Sequence, residues 1–266
     1  PLATRAPERY ATGIARLANG LMAWPGDAVS GSVRRHSLSP YGGLRRLVNA
    51  MLGVLLVLTG ASPAQSVEAA PARLLLLGDS LVAGYGLPRA DAFPAQLSAA
   101  LKAQGLSVTI VEAGVSGDTT AGGLARLPWV LGSAPAEQPD AVLVELGGND
   151  ALRGFDPQTT EANLDRLLAI LGERDIPVLL AGMRAPPNLG ADYVRAFDSI
   201  FPRLAKKHNV LLYPFFLDGV AGNAALNQAD GIHPNASGVK VIVDRILPSV
   251  RSLLDSVTPT DGARSG

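Results

Sequence analysis

Four consecutive leucines, Leu74 to Leu77, run directly into Gly78, Asp79 and Ser80. A strand with one wet face alternates apolar and polar residues. An unbroken apolar run closed by glycine instead reads as a strand buried on both faces, which implies a parallel sheet covered by helices. Open parallel sheets carry their chemistry beyond the carboxyl ends of the strands. Ser80 therefore stands where such a fold places a reacting group.

The rest of the chain supplies the partners for that strand. Residues 92–104 place Phe93, Leu97 and Leu101 on one helical stripe, and Gly105 ends the helix. Residues 106–112 alternate and are β-branched, predicting a second strand, followed by a loop over 113–120 and a helix over 122–131. Residues 141–146 form a third buried strand that exits into Gly147-Gly148-Asn149-Asp150. A helix is expected over 159–174 with Thr160 as its N-cap, and a fourth strand over 176–181. The spacing then predicts one helix over 192–208, with Phe197, Ile200 and Leu204 inward. A short strand over 210–213, a long loop and a final helix over 237–254 with Val241, Ile242, Ile246 and Leu253 inward complete the chain. This β-α alternation predicts an α/β fold with a parallel sheet and helices on both faces.

The amino-terminal part is of another character. Residues 1–64 hold seven Arg against two acidic residues, whereas 65–266 carry a matching acidic excess. Such a body lacks the clustered positive charge that nucleic acid requires. Within the basic part, Arg45 and Arg46 precede an apolar stretch to Leu58, and small residues with Pro63 follow. That order predicts a secretory signal over 44–70, cut after Ala64 or after Ala69 or Ala70, and a periplasmic or secreted protein with no stable membrane anchor. The apolar stretch is shorter than the roughly 20 residues a spanning helix needs. Residues 1–43 begin at Pro1 and show no sustained periodicity. They are expected to be read-through from upstream of the true start, part of an incomplete chain, or a short disordered arm. The domain over 71–256 is expected to act as a monomer, with a flexible tail over 257–266. The absence of cysteine excludes disulfides and thiolate metal sites.

Ser80, Gly117, Asn149, Asp230 and His233 each follow a predicted strand, so a parallel sheet brings them to one edge. A serine hydroxyl needs a base to take its proton, and His233 is the candidate. Asp230, three residues earlier on a turn with Gly231 and Pro234, can hold one imidazole nitrogen while the other faces Ser80. The N–H groups of Ser80 and Gly117 and the Asn149 amide are candidates for stabilising an oxyanion. Asp79 and Asp150 are expected to shape their loops. Asp79, Asp150 and Asp230 lack the supporting ligands a metal site needs, so no metal is expected. Each motif alone is weak: Gly-Asp-Ser is common, and Asp-x-x-His can simply cap a turn. Their joint occurrence in this order carries the reading.

These blocks, Gly78-Asp-Ser-Leu81, the loop with Gly117, Gly147-Gly-Asn-Asp150 and Asp230-Gly-Ile-His233, resemble the GDSL or SGNH hydrolase family over about 72–253. Ser116-Gly-Asp-Thr119, Gly123 to Pro128 and Leu152-Arg-Gly-Phe155 are similar to the bacterial periplasmic thioesterase/lysophospholipase/arylesterase subgroup. The resemblance implies a flavodoxin-like three-layer α/β/α sandwich with a five-stranded parallel sheet. It also implies hydrolysis of acyl esters and thioesters by a Ser80–His233–Asp230 triad, with no cofactor. In that subgroup the loop after the fourth strand helps bind the acyl chain, which here implicates Met183, Pro186, Pro187, Asn188, Leu189 and Tyr193. The triad order and the absence of Gly-x-Ser-x-Gly separate the chain from α/β-hydrolases. Two other readings are a carbohydrate O-deacetylase of the same fold and an inactive acyl- or glycan-binding module.

Overall fold

The structure, a computed structural model, describes residues 71–132 and 138–257. The expected 1–43 segment, the signal region over 44–70 and all of the 257–266 tail except Val257 lie outside the described residues.

Five parallel strands form one sheet: β1 (Ala72–Gly78), β2 (Val108–Gly114), β3 (Ala141–Glu145), β4 (Val178–Ala181) and β5 (Leu211–Tyr213), in the order β2-β1-β3-β4-β5. Leu74 to Leu77 are fully buried, as their unbroken apolar run requires. Each contributes on the order of 2 kcal/mol by leaving water. The order reverses between β1 and β3, which opens a crevice at their carboxyl ends.

The helices are α1 (Ser80–Ala83), α2 (Phe93–Ala103), α3 (Thr120–Val130), α4 (Gly148–Leu152), α5 (Pro157–Gly172), α6 (Ala191–Asp198), α7 (Ile200–His208) and α8 (Ala236–Asp255). On one side α2 packs against α8, and on the other α3 and α7 pack against α5, giving three layers. Phe93, Leu97 and Leu101 are buried on α2, and Ile242, Ile246 and Leu253 on α8, while Val241 is only partly buried.

Three expectations change. The helix over 192–208 is two helices parted at Ser199. Pro202 has no N–H for the Asp198 carbonyl, so a continuous helix loses a bond there. Phe197, Ile200 and Leu204 are nevertheless all buried. Second, α5 starts earlier and is capped by Asp156, whose carboxylate accepts the Gln158 N–H at 2.9 Å. Thr160 is buried inside α5, where its hydroxyl faces Asp150 at 3.3 Å. Third, Ser80 and Asn149 are not on open loops. They occupy the first turns of the short helices α1 and α4, directly after β1 and β3.

Candidate active site

Ser80 and Asn149 enter from the two strands that flank the switch in strand order. Gly78 and Glu145 are paired in the sheet, so the two chain exits run side by side. The turn after β1 is held by Asp79, whose Oδ1 caps α1 through the Leu81 N–H at 2.9 Å. Its Oδ2 accepts the Asn149 Nδ2–H, also at 2.9 Å, which joins the two exits. Asp79 is almost wholly buried. Burial raises its carboxyl above the usual range, while the Leu81 N–H, contacts with Glu145 and Asn149, and His233 pull it back.

His233 arrives from the far end of the chain. Asn227 and Pro234 form an isolated antiparallel bridge, and the Gln228 N–H donates to the His233 carbonyl at 2.7 Å. Gln228 also reaches across, its Nε2 donating to the Tyr85 carbonyl at 2.7 Å, so the loop is tied to the segment after α1. Within it Asp230 Oδ1 accepts the N–H groups of Ile232 and His233, both at 3.0 Å, and Oδ2 meets His233 Nδ1 at 2.6 Å. The backbone N–H of His233, its ring and the Ile232 N–H hold the Asp230 carboxyl down at about 2. His233 Nε2 lies 3.0 Å from Ser80 Oγ, although 153 residues separate them in sequence. The Tyr85 ring packs on the imidazole with centroids 4.5 Å apart.

The loop carrying Gly117 is anchored beside this group. Arg126 donates to Asp118 at 2.7 Å and to the Gly78 carbonyl at 2.9 Å, fastening the loop to the end of β1. Arg153 donates to the Gly117 carbonyl at 2.7 Å. Gly117 has φ +81°, a backbone conformation that strains any residue with a Cβ. Asp150 braces the same region from α4, accepting the Thr120 N–H at 2.9 Å and its hydroxyl at 2.5 Å. Asp79 and Asp150 thus take the loop-shaping places expected of them.

Ser80, Asn149 and His233 line one cavity of about 440 Å³. Its walls are mostly apolar, with Met183, Pro186 and Pro187 from the loop after β4, Phe215 and Leu217 from the loop after β5, and Leu152 and Ile232 at the side. Gly117 is not among the lining residues. Nor are Asn188, Leu189 and Tyr193, which were expected to contact substrate. Asn188 and Leu189 follow Pro187 in a short 3-10 turn. Tyr193 instead stacks on Phe197 and donates its hydroxyl to the Phe155 carbonyl at 2.7 Å.

Several residues of the site escaped sequence reasoning. Tyr85, Phe215 and Leu217 reach it through loop paths that no periodicity encodes. Arg184, whose guanidinium lies 4.7 Å from the Phe215 ring centroid, is the cation on the cavity wall. Glu145 did leave a signal, as the one acidic residue inside an otherwise apolar strand. Among the described residues no cluster suited to a metal ion is present.

Residues 76–241 match the family model of the GDSL-like lipase/acylhydrolase family. The chain is 40% identical over 187 residues to esterase TesA of Pseudomonas aeruginosa, covering 70% of this chain and 92% of that protein. It is 43% identical over 187 residues to thioesterase 1/protease 1/lysophospholipase L1 of Escherichia coli K12, covering 70% of this chain and 87% of that one. Among solved structures, that of AlinE4, an SGNH-hydrolase family esterase, superposes with a TM-score of 0.59 at 49% identity, covering 70% of this chain and 97% of that one.

Proposed function

Because this chain belongs to the GDSL-like lipase/acylhydrolase family, we propose that it is a serine esterase that hydrolyses carboxylic esters and thioesters through Ser80, His233 and Asp230. The observation that carries the reading is the relay Ser80 Oγ to His233 Nε2 at 3.0 Å and His233 Nδ1 to Asp230 Oδ2 at 2.6 Å. It supports a mechanism in two halves. His233 Nε2 takes the Ser80 proton as Oγ attacks the acyl carbon, and Asp230 steadies the imidazolium. Collapse of the tetrahedral intermediate expels the alcohol or thiol, which receives that proton from His233. Water then gives a proton to His233 and attacks the acyl-enzyme, releasing the acid and restoring Ser80.

Negative charge develops on the acyl oxygen in both halves. The donors we assign to it are the N–H groups of Ser80 and Gly117 and the Asn149 amide. Neither of those two backbone N–H groups has a protein acceptor among the described residues. One N–H of Asn149 is committed to Asp79, which orients the amide and leaves the second for the substrate. Asn149→Ala is expected to lower kcat by about 100- to 1,000-fold with KM nearly unchanged, the loss typical of one such donor. Steady-state kinetics on a p-nitrophenyl ester check this.

The apolar walls favour an acyl chain over a sugar, so broad arylesterase, thioesterase and lysophospholipase activity is proposed ahead of carbohydrate deacetylation. Rates on p-nitrophenyl esters, acyl thioesters and acetylated sugars test this directly. Efficient acyl hydrolysis with little sugar deacetylation is the expected result, and the reverse order overturns it. No described helix is long and apolar enough to cross a membrane. Export to the periplasm or medium and action as a monomer complete the proposal, the first resting on the signal-like sequence over 44–70.

A further inference from the structure

Glu145 ends β3 and is fully buried. Its Oε2 accepts the Asp79 N–H at 3.3 Å, while its Oε1 is buried without a hydrogen-bond partner. A Cβ on Gly78 would collide with Glu145 Oε2 and with Val82, so the turn that presents Ser80 is moulded around this carboxyl. The Asp79 carboxyl lies close enough for its charge to act on Glu145. Two carboxyl groups therefore meet in a dry place directly behind the site. The proposed reaction uses Asp79 to orient Asn149 and gives Glu145 no role.

We infer that Glu145 is kept as the neutral acid and donates a hydrogen bond to the Asp79 carboxylate, which makes it a positioning residue for the Asn149 amide. This rests on the reading of Asn149 as an oxyanion donor. Two carboxylates in contact away from water cannot both ionise. The partners decide which one keeps the proton. Asp79 accepts the Leu81 N–H and the Asn149 amide, which favour its charged form. Glu145 receives only the long bond from Asp79 N–H. Burial, followed by the charge on Asp79, drives the Glu145 carboxyl well above the usual range.

The surrounding charges leave the pair alone. On α3, Arg126 is spent on Asp118 and the Gly78 carbonyl. On α4, Asp150 is taken up by Thr120 and Thr160. His233 acts on Asp79 across the site. Among the described residues none of these cations hydrogen-bonds to Glu145. The chain Glu145 to Asp79 to Asn149 therefore holds the oxyanion donor in place without placing net charge beyond that of Asp79 behind the nucleophile. Ionising Glu145 would drive Asp79 away and pull Asn149 out of line.

The test is a pair of variants, Glu145→Gln and Glu145→Ala, assayed on a p-nitrophenyl ester with circular dichroism of each. A glutamine amide keeps both bonds, accepting from Asp79 N–H and donating to its carboxylate. Glu145→Gln is expected to retain kcat within about threefold, and Glu145→Ala to lose about 10- to 100-fold in kcat with KM within about twofold, part of the loss of a whole oxyanion donor. Carboxyl-carbon NMR of glutamate-labelled protein should show one neutral carboxyl at neutral pH that is missing from Glu145→Gln, and this decides the matter if Glu145→Ala does not fold. An ionised Glu145 at neutral pH, or wild-type kcat in Glu145→Ala, would overturn the inference. Either of these with Ser80→Ala inactive leaves the esterase reading standing; turnover by Ser80→Ala removes that reading instead.

Discussion

Ser80→Ala is expected to lower hydrolysis of a p-nitrophenyl ester by about 10⁴-fold or more, the scale on which serine hydrolases depend on the nucleophile. The substitution deletes one oxygen from a residue whose backbone conformation alanine adopts readily. Asp79 still caps α1 through the Leu81 N–H, and Asn149 still reaches Asp79, because neither bond involves the serine hydroxyl. The protein should therefore fold as the wild type and bind ester in the same cavity. What it loses is the atom that attacks. Matching thermal unfolding curves beside absent turnover would identify the loss as chemical.

Asp230→Asn should be nearly as severe, at about 10²- to 10⁴-fold in kcat/KM. An asparagine can keep the two backbone bonds, from the Ile232 and His233 N–H groups, through its carbonyl oxygen. Its NH2 group then faces His233 Nδ1, where the carboxylate now sits at 2.6 Å. The imidazole must carry its proton on Nε2, toward Ser80, and can no longer accept one. The pH dependence of stability adds a second readout. The Asp230 carboxyl is lowered from 3.8 to about 2 in the fold. A depressed carboxyl stabilises the folded state above its unfolded value, and that stabilisation disappears as pH falls through the folded one. Wild type should therefore lose thermal stability between about pH 4 and pH 2 by a component that Asp230→Asn lacks.

Much of this arrangement was legible in the residues. Leu74 to Leu77 announce a doubly covered strand, and from that alone Ser80 belongs at the rim of a parallel sheet. Asp230 and His233 lie three apart, so their pairing is a local matter of one turn. The meeting of His233 with Ser80 followed from the rule that loops after parallel strands share an edge. Other features depend on tertiary competition. Asp156 and Thr160 both suit an N-cap; Thr160 lost because Asp150, from another element, offers its hydroxyl a buried partner. The stripe of Phe197, Ile200 and Leu204 ran straight through a break that Pro202 enforces in the backbone without disturbing which side chains face inward. The subgroup resemblance points Asn188, Leu189 and Tyr193 toward substrate; they do not line the cavity, and the Tyr193 hydroxyl donates to the Phe155 carbonyl. Glu145 lay within a strand and was counted as part of it, because strand pattern says nothing of what a single acidic side chain meets behind the turn.

The account stands on the Ser80 hydroxyl being activated by His233. Labelling with a fluorophosphonate probe, followed by peptide mass spectrometry, measures that reactivity at a single atom. The expected result is one phosphonylated residue, Ser80, in the wild type, little labelling in His233→Ala and strongly reduced labelling in Asp230→Asn. Ester hydrolysis that persists while Ser80 stays unlabelled, or labelling of Ser80 that proceeds equally without His233, would contradict it.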